Sequence, residues 1–78
     1  MLYETDTSHS CEKVLEKAKD FFNGEWGLEV SSKENCCALF QGGGGHVFVQ
    51  CIDDEGEMKV ELATREWDRQ VKKFMRKI

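Results

Sequence analysis

Cys36-Cys37-Ala38-Leu39-Phe40-Gln41-Gly42-Gly43-Gly44-Gly45-His46-Val47-Phe48-Val49-Gln50-Cys51-Ile52 is the stretch that decides the fold. Two β-prone apolar runs flank four consecutive glycines, the pattern of a hairpin whose turn lies in residues 42–45. With that turn, Gln41 faces His46, Phe40 meets Val47, Ala38 meets Val49 and Cys36 meets Cys51. The apolar residues then share one face. Downstream, Asp53-Asp54-Glu55-Gly56 reads as a polar turn placing Ile52 opposite Glu57, so that Cys51, Val49 and Val47 meet Met58, Val60 and Leu62. Upstream, Trp26, Leu28 and Val30 alternate with polar residues as a strand with one buried face. A turn at Lys33-Glu34-Asn35 sets Val30 against Ala38 and Leu28 against Phe40. All three turns place apolar side chains on the same face, which a one-residue slip in any of them would undo.

The flanks supply helices to cover that face. Cys11, Val14, Leu15, Ala18, Phe21 and Phe22 recur at spacings of three and four, preceded by capping candidates Asp6, Thr7, Ser8 and Ser10 and ended by Asn23-Gly24. Trp67, Val71, Phe74, Met75 and Ile78 repeat the pattern near the C-terminus, with Thr64 as the expected cap. Residues 2–5 read as an additional edge strand at the start. The expected fold is α+β: a four-stranded antiparallel meander, with this fifth N-terminal edge strand, and two helices on one face, in the order (β)αββββα. The layout resembles the repeat unit of the TATA-binding-protein fold, a curved antiparallel sheet with helices on its convex side, on element order alone and with no shared motif. In that family the open sheet face meets a DNA minor groove through apolar wedges and basic residues. Here Glu29 and Glu61 fall beside the candidate wedges Leu39 and Phe48, and the basic residues lie on the other layer, so charge disfavours nucleic acid as a partner of the sheet.

The uncovered face is expected to carry Glu29, Ser31, Cys37, Leu39, His46, Phe48, Gln50, Lys59 and Glu61. Leu39 and Phe48 oppose each other at its middle, with Cys37 and Gln50 adjoining. A central apolar island with a polar rim is how an interaction surface begins. These four are the candidate binding residues of the open face.

A single domain is expected, because 78 residues enclose one small core. The composition, 40% hydrophobic and 33% charged with no proline, is that of a globular chain and excludes a disordered linker. No run approaches the length of a membrane span and no signal-peptide pattern opens the chain, so the expectations are a cytoplasmic protein, no membrane partner and reduced thiols. The net charge of −4 is unevenly spread. Residues 65–78 carry six basic and two acidic side chains, whereas residues 1–64 carry five basic and thirteen acidic. Arg65, Arg69, Lys72, Lys73 and Arg76 therefore form a second candidate surface, a basic C-terminal helix. Lys and Arg also suit the last turn of any helix, whose free carbonyls favour positive charge.

Motifs for chemistry are weak. The glycine run precedes a strand, where a phosphate loop would lead into a helix, and reads as a flexible hairpin tip. His9, Cys11, Cys36, Cys37, His46 and Cys51 are raw material for a metal, yet no C-x-x-C pair occurs, and adjacent Cys36 and Cys37 point to opposite faces of one strand. Cys37 lies two pairs from His46, too far for a nucleophile and its base. No cofactor, metal site or catalytic constellation is expected. The leading function is a small non-catalytic module that binds a protein partner or forms a weak homodimer. The alternative is a thiol-based redox or metal-responsive protein using Cys36 and Cys51, either as a cross-strand disulfide or as reduced core residues. Nucleic-acid binding by the last helix comes third.

Overall fold

The computed structural model describes residues 1–78. In chain order it comprises β1 (Leu2–Thr7), α1 (Cys11–Ala18), a π-helical segment (Lys19–Glu25), β2 (Glu29–Lys33), β3 (Cys37–Gly42), β4 (Gly45–Asp54), β5 (Glu57–Arg65) and α2 (Asp68–Met75). The strands form one antiparallel sheet in the order β1-β5-β4-β3-β2. The fold is α+β with the expected element order. The edge strand is longer than residues 2–5, running from Leu2 opposite Ala63 to Thr7 opposite Met58. No helix is long and apolar enough to cross a membrane.

The central hairpin has the expected register: Gln41 pairs with His46, Phe40 with Val47, Leu39 with Phe48 and Ala38 with Val49. Gly43 and Gly44 take φ of 58° and 78°, the two left-handed residues of a type I′ turn. The tip is not free, because the Trp67 indole donates to the Gly42 carbonyl at 2.9 Å and its ring lies over Gly43. This corrects the reading of the glycine run as a flexible tip. Trp67 itself belongs to the connection before α2 and is half-buried, not part of the helical stripe.

The other two turns correct the expected registers. Asp54 pairs with Glu57, which leaves only Glu55 and Gly56 in the loop, at φ of 54° and 88°. The Gly56 amide donates to Asp53 Oδ1 at 3.2 Å, and this two-residue loop follows the strand twist better than a four-residue one. Cys51 thus meets Val60, Val49 meets Leu62 and Val47 meets Thr64. The shift of two residues keeps the buried face and changes every partner. Thr64 is consequently a buried strand residue, its hydroxyl donating to the His46 carbonyl at 2.8 Å, and not the cap of α2. In β2, Val30 pairs with Phe40, and a bulge at Ser31 precedes Ser32 opposite Leu39. The Ser31 hydroxyl donates to Gln41 Oε1 at 2.7 Å.

Ser10 caps α1, accepting from the Lys13 amide at 3.2 Å. Past Ala18 the helix widens into π geometry, which narrows the angle between successive side chains and lets neighbouring Phe21 and Phe22 both enter the core. The Asn23 amide group closes the segment by donating to the Leu28 carbonyl at 2.7 Å. Trp26 follows as its cap, 38% exposed and edge-on to Trp67, and is not a buried strand residue. Phe22 centres an aromatic cluster, with ring centroids 5.0 Å from Phe21, 5.2 Å from Phe74 and 5.5 Å from Phe40. Both helices therefore cover one sheet face, and the other stays open.

β1 and α2 are tied by the Tyr3 phenol, which donates to Asp68 at 2.6 Å, and by the Thr7 hydroxyl, which donates to the Ile78 carbonyl at 3.0 Å. The Asp68 carboxylate holds the Tyr3 proton, and burial adds to the effect, so its pKa is raised above 10.0. Above that value the unfolded phenol ionises while the folded one stays protonated, and stability falls as pH rises. Tyr3→Phe is expected to shrink this loss, read as the change in denaturant midpoint between pH 8 and pH 11. An undiminished loss would show that the Tyr3 bond does not persist in solution.

Candidate functional site

The open face is built by alternation. In β3 and β4 the buried residues Ala38, Phe40, Val47, Val49 and Cys51 alternate with Cys37, Leu39, His46, Phe48, Gln50 and Ile52, which point away from the helices. Cys37 pairs with Gln50 and Leu39 with Phe48. The corrected β4–β5 register puts Ala63, not Glu61, beside Phe48, and β1 adds Leu2 beside Ala63. Leu2, Ala63, Phe48 and Leu39 thus form one transverse apolar row across four strands, with Leu2 66% exposed. Cys37 adjoins this row one pair along.

Charges flank the row. Glu4 and Glu61 oppose each other on one side, while Arg65 and His46 oppose each other on the other. Lys59 lies between Glu4 at 3.9 Å and Asp54 at 3.7 Å. Acid exceeds base on this face, with Glu4, Asp6, Glu29, Asp54 and Glu61 against Lys59 and Arg65. Such a surface attracts a basic rim and repels phosphate.

Sequence reasoning missed Leu2 and Ala63, although both were within reach of a correct register. Had the acidic turn been read as a two-residue Glu-Gly loop, Ala63 would have fallen beside Phe48.

The basic surface differs from expectation in one member. Arg65 ends β5 and belongs to the open face, so it is not part of the helix. Arg69, Lys72, Lys73 and Arg76 are exposed on or at the end of α2 and make no salt bridge. Lys72 instead lies over the Tyr3 ring, 5.8 Å from its centroid.

The thiols also correct the expectation of a buried Cys36–Cys51 pair. The Cys51 amide donates to the Cys36 carbonyl at 2.8 Å, so the two are opposite as expected, yet only Cys51 is buried and Cys36 is exposed. The missing participant is Cys11. Its thiol donates to the Asn35 carbonyl at 3.3 Å, and the Cys51 thiol donates to the Cys11 carbonyl at 4.0 Å. Burial first, then contact with the thiols of Cys36 and Cys51, pushes the Cys11 pKa upward, although its place at the start of α1 favours a thiolate. Burial likewise raises Cys51, against the lowering effect of its bond with Cys11. All four cysteines are free thiols, and no group of three or more His, Cys, Asp or Glu side chains is arranged to hold a metal ion.

These features define a small α+β domain with a helix-covered face and an uncovered sheet face. No protein-family description matches the chain, and no curated protein matches its sequence.

Proposed function

We propose that the chain is a non-catalytic binding module whose open sheet face docks another protein. The observation that carries this reading is the transverse row Leu2–Ala63–Phe48–Leu39, apolar across four strands on the face neither helix covers. Burying its three larger side chains would contribute roughly 4–9 kcal/mol before the cost of association, which suits a weak complex reinforced at the rim. The acidic excess around the row favours a partner with an apolar ridge and basic flanks. It also gives two copies of this face the same net sign, which opposes a face-to-face homodimer. A catalytic role lacks support at this face, since Cys37 stands opposite Gln50 and His46 opposite Gln41, two same-face pairs away.

Phe48→Lys tests the reading. The variant is expected to fold as the wild type, because Phe48 projects from the uncovered side, and to lose at least about thirtyfold in affinity for partners captured by the wild type. Light scattering over a concentration series separates a homodimer from a heterologous partner. A partnerless wild type, or an unchanged variant, would remove the reading.

The cations of α2 support a second reading, an anionic partner such as nucleic acid, because Arg69, Lys72, Lys73 and Arg76 are exposed without ion pairs. Binding to a random duplex that falls steeply with salt is its signature. Salt-independent retention, or none, would leave these cations as a solvated helix face.

A further inference from the structure

Three thiols from distant parts of the chain converge where the start of α1 rests on the β2–β3 turn. Cys11 opens α1, Cys36 lies just before β3, and Cys51 is in β4. Three contacts fix their arrangement: Cys11 Sγ to the Asn35 carbonyl at 3.3 Å, Cys51 Sγ to the Cys11 carbonyl at 4.0 Å, and the Cys51 amide to the Cys36 carbonyl at 2.8 Å. The Cys11 sulfur therefore lies against the peptide that leads into Cys36. Their exposures differ in a useful way. Cys51 is 6% exposed, Cys11 is half-buried, and Cys36 is open to a surface hollow lined by Glu34, Asn35, Cys36, Cys37 and Gln50. One thiol is reachable from solvent and a second waits behind it.

We propose that Cys36 and Cys11 form a dithiol site that reacts with low-molecular-weight disulfides and closes into an intramolecular disulfide, joining the start of α1 to the β2–β3 turn. The Cys36 thiolate attacks one sulfur of glutathione disulfide. That S–S bond breaks, one glutathione leaves as thiolate and takes up a proton, and a mixed disulfide remains on Cys36. The Cys11 thiolate then attacks the Cys36 sulfur, and the second glutathione leaves in the same way. Two protein thiols are oxidised and one glutathione disulfide is reduced to two glutathiones. Cys51 is the buried support of Cys11 and takes no part in the bond. Because Cys11 gives up its proton reluctantly, the closing step accelerates with rising pH. The hollow borders the open face at Cys37 and Gln50 but includes no residue of the apolar row, and the dithiol reaction stands whether or not that face binds protein.

The test incubates the reduced full-length protein with glutathione disulfide under native conditions. Non-reducing peptide mapping then follows wild type, Cys36→Ser, Cys11→Ser and Cys51→Val. The expected product is a Cys11–Cys36 link, lighter than the reduced protein by two hydrogen atoms, with a melting temperature raised by roughly 10 °C through loop closure. It should form in wild type and Cys51→Val, be absent from Cys36→Ser, and stop at the glutathione adduct in Cys11→Ser. A stable adduct on Cys36 of the wild type would overturn the proposal. So would a link through Cys37 or Cys51, or no reaction at all.

Discussion

Phe22→Ala is expected to destabilise the domain by about 3–5 kcal/mol, with Phe74→Ala close behind. Phe22 is fully buried where the π-helical segment, β3 and α2 meet, in contact with the rings of Phe21, Phe40 and Phe74. Removing it opens a cavity that no single neighbour can fill, because its three partners descend from different elements. Small domains have roughly 5–15 kcal/mol in all, so the loss takes a large share of the total. The charges of α2 should matter far less. Lys73 is exposed and unpaired, and Lys73→Glu is expected to cost under about 1 kcal/mol. Urea denaturation of the three variants checks the contrast; a Lys73→Glu loss larger than that of Phe22→Ala would mean that the helical layer is held by charge and not by packing.

Gly45→Ala is expected to be the most damaging change outside the aromatic cluster, about 3 kcal/mol. A Cβ at this position would collide with the Arg65 carbonyl, and backbone paired across β4 and β5 cannot yield as a side chain can. Gly24→Ala is the control. Its Cβ would meet nothing closer than the Lys19 carbonyl at 4.0 Å, and within a helical segment the exchange should be neutral or stabilising by up to about 1 kcal/mol. Thermal melts of the two variants report the difference. Equal melting temperatures would show that the ends of β4 and β5 are looser than their pairing implies.

The parts of the fold legible in the sequence were those governed by parity. Side-chain alternation assigns each residue to a face, and the glycine run fixed the β3–β4 register outright because its turn could be centred in only one way. Alternation does not distinguish registers that differ by two residues. For the acidic turn before β5 alternation therefore gives the right face with partners two residues off, and leaves Ala63 out of the open-face row. The bulge at Ser31 was illegible for a different reason, since an extra unpaired residue leaves the apolar spacing of Leu28 and Val30 unchanged. Nor does apolar spacing separate α from π geometry across Phe21 and Phe22. Cys11 read as one more position in a helical stripe. Its approach to Cys36 depends on how the start of α1 docks on a distant turn, which no local pattern encodes.

The division of labour between the two sheet faces is tested most directly by photocrosslinking in cells that express the full chain, with a photoreactive phenylalanine analogue in place of Phe48 or, in parallel, of Lys73. Both positions are on the surface, on opposite layers of the domain. Discrete protein adducts from position 48, absent from position 73 and lost when Leu39→Lys is added, are the expected result. Adducts from position 73 alone, or the same adducts from both positions, would contradict a binding function centred on the open face.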